Sequence, residues 1–398
     1  MSCHERVYAW RTEVAARLPH LSGPQAMVLA LWSFGMVLAG SCGRTAVSTV
    51  LAAGLGCAEN TLRQRLREWC NDADDKRGAK RREVAVESCF APLLGWVLGW
   101  WDGTRLALAL DATTLGDRFA VLAVSVVYRG CAIPVAWVVL PGNTPRAWRR
   151  EWLRLLRRLG PAVPAGWTVI VLADRGLDAR WLYRRIVRLG WHPFLRVNAG
   201  GTFRPTGQAR YAPLWSFAAA GGSWAGTGTA FQGPDRRLVG TLLVRWADGC
   251  ATPWLLLTDL PPDAADPCWY GMRGWIERGF KLTKRAGWQW QATRVTDPDR
   301  AARLWLAVAV ATLWLVSIGG AADAALPAST IPAVPTPPRR VRRTTRPRLV
   351  SVFRRGLALL LAALLNDQPL PTGRFRPEPW PTADDLPTRA TAAPTRAA

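Results

Sequence analysis

Three acidic residues, Asp111, Asp174 and Glu277, have the types and the sequence settings that could bind divalent cations. Asp111 ends the apolar segment RLALALD, and Asp174 ends the similar segment WTVIVLAD. Carboxylate oxygens are hard ligands of the kind that Mg²⁺ prefers. Because Asp commonly follows a strand, one such residue would be weak evidence. Two of them, each after an apolar strand, favour a shared metal site.

Glu277 lies in YGMRGWIERGFKLTKRAGW, residues 270–288, among basic side chains in a chain that is poor in glutamate. At about 100° per residue, a continuous α-helix would bring four polar residues onto one stripe: Tyr270, Arg273, Glu277 and Lys284. A second stripe predicts the face that packs on a sheet: Trp269, Met272, Ile276 and Phe280. The simpler alternative is a solvated helix with ion pairs such as Glu277 with Lys281.

The elements that must position these acids follow from the patterns of residues 105–197. Three apolar, β-rich segments are followed by a helix near 146–159, the strand WTVIVLAD, a second helix and the strand HPFLRV. This order predicts an α/β catalytic domain of the RNase H-like fold, with a mixed five-stranded sheet and flanking helices. In such a sheet the carboxyl ends of the first and fourth strands are neighbours, which would bring Asp111 beside Asp174.

The chain divides into five predicted regions. The N-terminal region, 1–104, is helical, and 105–197 forms the first part of the catalytic domain. A Gly- and Trp-rich stretch at 198–260 predicts a β-rich insertion that interrupts this domain, and 261–322 completes it. The C-terminal region, 323–398, is basic and rich in Pro and Arg.

A helix-turn-helix is predicted within the N-terminal region by STVLAAGLGCAENTLRQRLREW. Its second helix would present Arg63, Arg65 and Arg67 to DNA. The alternative is an ordinary helical hairpin. In the C-terminal region, PPRRVRRTTRPR (337–348) is expected to contact DNA phosphates without sequence preference.

The composition also favours nucleic acid as a partner. The formal net charge is +24, from 52 Lys and Arg against 28 Asp and Glu, and such a field attracts polyanions, nucleic acid ahead of an anionic membrane. A GC-rich codon bias would explain Arg over Lys but not the excess of basic residues. The hydrophobic fraction of 49% argues against a disordered chain. The sequence contains no phosphate-binding glycine loop.

Cellular location is inferred from cysteine usage and hydropathy. None of the eight cysteines forms a C-x-x-C pair and the three histidines are scattered, which favours reduced thiols over a zinc site. Residues 24–43 and 304–322 approach the length of a membrane span, but a buried core helix is equally apolar. We expect a cytoplasmic, nucleoid-associated protein that does not insert into a membrane.

The spacing Y-x2-R-x3-E-x6-K, formed by Tyr270, Arg273, Glu277 and Lys284, resembles the signature of bacterial insertion-sequence transposases with a DDE triad. The segments LALDATTLGDRF and VIVLADRGLDARWLYRRI resemble the two Asp strands of the same family, and the resemblance covers about 105–320. It implies an enzyme whose catalytic residues, Asp111, Asp174 and Glu277, bind two Mg²⁺ ions, with Mn²⁺ as a substitute.

The same resemblance implies roles in DNA binding. Tyr270, Arg273 and Lys284 would contact DNA beside the cut, and the substrates would be double-stranded element ends and target DNA. A homodimer would hold two ends together. Relatives flip a base onto a tryptophan, for which Trp215, Trp224 and Trp288 are candidates, although core packing is the simpler role for each. The alternative function is a catalytically inactive, transposase-derived DNA-binding protein.

Overall fold

The computed structural model describes residues 2–76, 82–143, 148–233, 235, 237–325 and 350–382. In chain order the helices are α1 (Cys3–Arg17), α2 (Gly23–Ala39), α3 (Arg44–Leu55), α4 (Glu59–Cys70), α5 (Phe90–Gly99), α6 (Arg149–Leu159), α7 (Arg180–Arg188), α8 (Gly274–Lys281), α9 (Pro298–Asp323) and α10 (Val352–Leu365). The strands are β1 (Arg105–Leu115), β2 (Phe119–Tyr128), β3 (Cys131–Pro141), β4 (Thr168–Ala173), β5 (His192–Arg196), β6 (Thr202–Pro205), β7 (Ala212–Pro213), β8 (Ser223–Ala230), β9 (Leu238–Arg245) and β10 (Trp254–Thr258).

These ten strands form one mixed sheet in the order β3-β2-β1-β4-β5-β10-β9-β8-β6-β7, which confirms the predicted α/β class. β4 is parallel to both β1 and β5, and the other neighbouring pairs are antiparallel. A two-residue turn, Arg129 and Gly130, joins β2 to β3 with positive φ at both positions, as a tight hairpin requires. Every residue of β2 is buried, so this part of the sheet is covered on both faces.

The sheet is larger than the five strands predicted for residues 105–197. All of β6–β10 come from residues 198–260, and β10 pairs with β5, so this stretch extends the same sheet. The apolar segments RRLVGTLLVRW and PWLLLTDL form β9 and β10. The predicted boundaries of the five regions stay predictions.

α9 supplies much of the buried core. The Asp297 side chain caps it by accepting a hydrogen bond from the Arg300 backbone N–H at 2.8 Å, and Pro298 occupies the first turn. α9 packs against β3, α2 and α10. By length and composition α9 could cross a membrane, and 94% of its apolar window is buried inside the protein. A buried core helix has the same apolar character.

α3 and α4 form the predicted pair of helices around a glycine turn. Gly56 follows α3 with φ +59, a left-handed conformation that glycine adopts without strain. α4 is held by the buried side chains of Leu62, Leu66 and Trp69. Near the C-terminus, α10 packs on α9. The Arg-rich segment 337–348 lies outside the described residues.

Candidate active site

The parallel pairing of β1 and β4 places two of the predicted acids at the same edge of the sheet. Leu110 of β1 is opposite Ala173 of β4, so Asp111 and Asp174 follow on neighbouring strands. Asp174 comes directly after β4, and its side chain accepts a hydrogen bond from the Gly176 N–H at 2.9 Å. The prediction that the first strand ends at Asp111 is wrong. β1 continues to Leu115 because these residues pair with β2.

Glu277 reaches this edge on α8, which packs across β1, β2 and β3. The close approach depends on Gly279, where a Cβ atom would lie 2.9 Å from the Cβ of Ala132. The predicted single α-helix over 270–284 is wrong. Residues Pro267–Arg273 form a 3₁₀ helix, and Leu282–Ala286 form a π-helix turn after α8. A uniform 100° per residue therefore does not apply across the signature.

One guanidinium group joins all three acids. Arg273 Nη2 lies 2.9 Å from Asp111 Oδ2 and 3.2 Å from Asp174 Oδ2, and Arg273 Nη1 pairs with Glu277 Oε1. We call Asp111, Asp174 and Glu277 with Arg273 the carboxylate site. The alternative ion pair of Glu277 with Lys281 is not the one formed, and Arg273 is an ion-pair partner here rather than a free phosphate ligand.

Burial sets the protonation behaviour of this site. Removal from water raises the pKa of Asp111 to about 6, and the attraction of Arg273 does not fully offset it. Burial also acts to lower the pKa of Arg273, but its acidic neighbours, Asp111 first, outweigh this effect and the pKa is raised. Arg273 is therefore a permanent cation among three carboxylates.

Lys284 and Tyr270 make contacts that differ from those expected for one polar stripe on a continuous α-helix. Lys284 Nζ donates to Thr113 Oγ1 at 2.8 Å and to the Thr114 carbonyl oxygen at 3.2 Å, which ties the π-helix turn to β1. Tyr270 is buried edge-on against Trp254, and burial raises the pKa of its phenol to about 12. Its hydroxyl is therefore neutral at physiological pH, and its ring packs against that of Trp254.

Arg63, Arg65 and Arg67 are exposed on α4, opposite the buried face of that helix. The three tryptophan candidates differ in exposure. Trp215 is 51% exposed and Trp288 is buried. Trp224 is half-buried against Phe217 and Phe203. Trp288 donates to Thr312 Oγ1 at 2.9 Å in the core, which leaves its ring no open face for a base.

Sequence reasoning missed Arg118, which positions the segment after the π-helix turn. Its guanidinium donates to the carbonyl oxygens of Gln291, Thr293 and Val295. Arg118 lies in the turn between β1 and β2, just beyond the strand that carries Asp111. The only sequence signal was a basic residue within LALDATTLGDRF, which has no distinctive spacing.

The carboxylate site presents only oxygen ligands, which suit Mg²⁺ or Mn²⁺. Across the described residues, no group of three or more His, Cys, Asp or Glu side chains stands ready to hold a metal ion. In this structure the three carboxylates pair with the guanidinium of Arg273 instead. The donor set still fits divalent cations, since three carboxylates from three elements already converge on a single positive charge.

Residues 103–314 match the family model described as "Transposase DDE domain". This match spans more than half of the chain, so the protein belongs to the transposase DDE domain family. It is an enzyme that acts as a transposase, and domains of this family generally use divalent metal ions. A cryo-EM structure of the piggyBac transposase synaptic complex with hairpin DNA is similar at 12% identity and a TM-score of 0.40, over 78% of this chain and 72% of that one. No curated protein matches the sequence.

Proposed function

We propose that this transposase cuts and rejoins DNA at the ends of a bacterial insertion sequence, with Asp111, Asp174 and Glu277 as its catalytic residues. The observation that carries the proposal is their convergence on Arg273 from β1, the end of β4 and α8. Tyr270, Arg273, Glu277 and Lys284 form the family signature on this proposal. The first five strands would be an RNase H-like core, and β6–β10 its insertion.

The three carboxylates would hold two divalent cations, Mg²⁺ in the cell with Mn²⁺ as a substitute. When bound, such ions activate a water or a DNA 3′-OH and stabilise the leaving oxygen. For the carboxylates to bind them, Arg273 must first leave its three partners. Asp111 must also lose its proton, so metal binding should weaken as pH falls below about 6, where the pKa of the metal-free site lies.

Arg273 and Lys284 are the basic residues placed to orient DNA at this site. A guanidinium freed from the carboxylates can bind a phosphate through two parallel hydrogen bonds. Lys284 keeps contact with Thr113 and Thr114 and so holds its charge next to β1. On α4, Arg63, Arg65 and Arg67 would contact the backbone of the same double-stranded DNA.

We further propose a homodimer that holds two element ends together, in the cytoplasm at the nucleoid. The high positive charge supports association with DNA. Two ends must be cut and joined together, so each end requires its own set of carboxylates.

The test is cleavage of linear DNA that carries the element's own ends, with purified full-length protein and Mg²⁺. Asp111→Asn, Asp174→Asn and Glu277→Gln should each lower the cleavage rate by about 10³-fold, the equivalent of several kcal/mol of lost transition-state stabilisation. DNA affinity should stay within about twofold.

Asp117→Asn is the matched control, because Asp117 is an exposed acid in the turn after β1. Wild-type cleavage by any one of the three variants would remove that residue from the proposed site. DNA binding without cleavage by the wild-type protein would instead identify a catalytically inactive DNA-binding protein.

A further inference from the structure

A cleft of about 1150 Å³ lies between the helix pair α3–α4 and the segment before α9. Five arginines and one aspartate are the charged residues that line it: Arg44, Arg63, Arg67, Arg294, Arg300 and Asp297. We call this the arginine cleft. Arg44, Arg63, Arg67 and Arg294 are exposed. Among these residues, only Arg63 and Arg67 belong to the DNA contacts predicted from the helix-turn-helix pattern.

Most of the positive charge in the arginine cleft is uncompensated. Asp297 caps α9, and Arg300 pairs with Asp75 at 2.8 Å. Arg44, Arg67 and Arg294 have no carboxylate partner within ion-pair distance among the residues that the structure describes. A concave surface with unpaired cations on both walls concentrates field lines and attracts a polyanion.

The two walls of the cleft are held in a fixed relation. The Cys42 N–H donates to the Trp288 carbonyl oxygen at 2.7 Å, which joins the start of α3 to the segment after α8. Arg118 fixes the carbonyl groups of residues 291–295 on the other wall. The Trp69 indole donates to the Arg303 carbonyl oxygen, which anchors α4 on α9. The cleft is therefore organised before any ligand arrives, and binding need not order these walls.

The chemistry of the lining selects a DNA backbone. Besides the arginines, the cleft presents amide and hydroxyl groups such as those of Thr45, Asn60, Gln64 and Gln289. These side chains bind phosphate and sugar oxygens. A protein-docking surface would need an exposed apolar centre, whereas apolar side chains at this cleft such as Cys42 and Leu304 are buried. Trp32, the aromatic side chain at the cleft, is buried and offers no face for stacking an unpaired base.

The cleft is close to the carboxylate site along the chain. Gln289 lines the cleft and lies five residues after Lys284, so the two Cα atoms are no more than about 18 Å apart. That reach corresponds to about five nucleotides of one B-form strand. A strand whose phosphate lies at Lys284 would therefore enter the cleft within about five nucleotides.

We propose that the arginine cleft binds the phosphate backbone of duplex DNA immediately beside the phosphate that the carboxylates attack. The assignment of the attacked phosphate rests on the proposed function, whereas the binding of duplex DNA in the cleft does not. Arg44 and the arginines of α4 contact the DNA backbone from one wall of the cleft, and Arg294 contacts it from the other.

The test measures affinity for a labelled random-sequence duplex by fluorescence anisotropy over a salt series, with full-length protein. Arg44→Gln and Arg294→Gln should each lower affinity about fivefold near physiological salt and reduce the salt slope by about one. Arg157→Gln and Arg188→Gln are matched controls, because both arginines are exposed on helices outside the cleft. The controls should change affinity by less than about twofold.

A second readout locates the contact. Ethylation of phosphates within about five nucleotides of the mapped cut should weaken binding to the wild type, and this interference should disappear in the Arg44→Gln, Arg294→Gln double variant. If cleft and control variants have the same salt slope while the wild type still cleaves DNA, the cleft proposal falls and the proposed function stands.

Other outcomes separate the two ideas further. Suppose the cleft variants lose duplex binding while the Asp111→Asn protein cleaves DNA normally. That result would support DNA binding in the cleft and contradict the proposed catalytic site. Binding of polyglutamate but not of duplex, with loss of that binding in the cleft variants, would make the cleft a docking site for acidic protein and overturn the proposal.

Discussion

At the carboxylate site, three acids surround one arginine, whereas the arginine cleft gathers five arginines around one aspartate. At the carboxylate site Asp111 and Arg273 are mostly buried, Asp174 and Glu277 are more exposed, and the charges pair with one another. The cleft is open, and most of its cations face solvent. At the carboxylate site, Arg273 thus occupies the place that an external cation would take, whereas the cleft can accept an external anion. On the two proposals above, DNA would bind in the cleft before Arg273 leaves the carboxylates.

The largest effect should come from removing the counter-ion. In Arg273→Gln, three neighbouring carboxylates lose their shared partner, and we expect the free energy of unfolding to fall by about 3 kcal/mol in metal-free buffer. Partial exposure of Asp174 and Glu277 keeps the loss from being larger. Chemical denaturation with and without Mn²⁺ measures it, and Mn²⁺ should stabilise the variant more than the wild type.

The matched control is Arg278→Gln, since Arg278 is exposed on the same helix. Its unfolding free energy should change by less than about 0.5 kcal/mol. Equal stability of Arg273→Gln and the wild type would show that the carboxylates do not depend on this cation.

The second effect is a pH dependence at Asp111. Its folded-state pKa is raised to about 6, so ionisation opposes folding, and the stability present at low pH is lost as pH rises through that value. Asp111→Asn removes this cost. We expect the variant to gain about 2 kcal/mol relative to the wild type as pH rises from about 4 to about 7 without metal, the window between the unfolded and folded pKa values.

Denaturation of both proteins across this range in the presence of a chelator provides the measurement. Asp117→Asn, at an exposed acid, should show no such trend. A constant difference between Asp111→Asn and the wild type at all pH values would rule out the raised pKa.

A smaller effect is expected at Lys284. Replacing it with Met leaves Thr113 Oγ1 and the Thr114 carbonyl oxygen without this donor, so the free energy of unfolding should fall by about 1 kcal/mol. The salt slope of DNA binding should also fall by about one if Lys284 contacts a phosphate. Lys281→Met, at an exposed position, is the control. An unchanged salt slope would leave Lys284 with a structural role alone.

The smallest effect should come from Arg65, which is exposed on α4 but does not line the arginine cleft. Arg65→Gln should weaken duplex binding about twofold, against about fivefold for Arg67→Gln inside the cleft. Anisotropy titrations at one salt concentration are sufficient to compare them. If Arg65→Gln were the more damaging variant, the outer face of α4 would be the main DNA contact.

The sequence predicted the juxtaposition of Asp111 and Asp174 because each follows a short apolar run, and parallel neighbours bring their carboxyl ends to one edge. Strands β9 and β10 were also predictable from apolar runs. β8 was not, because its sequence SWAGTGTA is built from small residues, and its alternation of exposure leaves little hydrophobic pattern. Its place in the sheet depends on pairing with β9, a contact outside any local window.

The local conformation and side-chain partners of residues 270–284 were harder to predict. Local periodicity cannot show that a 3₁₀ segment precedes α8 and a π turn follows it, because the sheet and the core beneath determine those departures. Nor could spacing show that Arg273 faces the acids rather than DNA, since that depends on residues 99 and more positions away in the chain. The arginine cleft combines residues from α3, α4 and the segment before α9, and no single motif contains them.

The contact between α9 and α10 has a consequence for the order of synthesis and folding. Gly319 and Gly356 let these helices approach so closely that a Cβ atom at either position would overlap the backbone of the other helix. α10 therefore packs directly on the backbone of α9 near Gly319, where α9 has no side chain of its own to cover that surface. During translation, this part of α9 stays uncovered until residues 352–365 have been synthesised. A product that stops before Val352 would contain Asp111, Asp174 and Glu277 and yet expose an apolar surface prone to self-association.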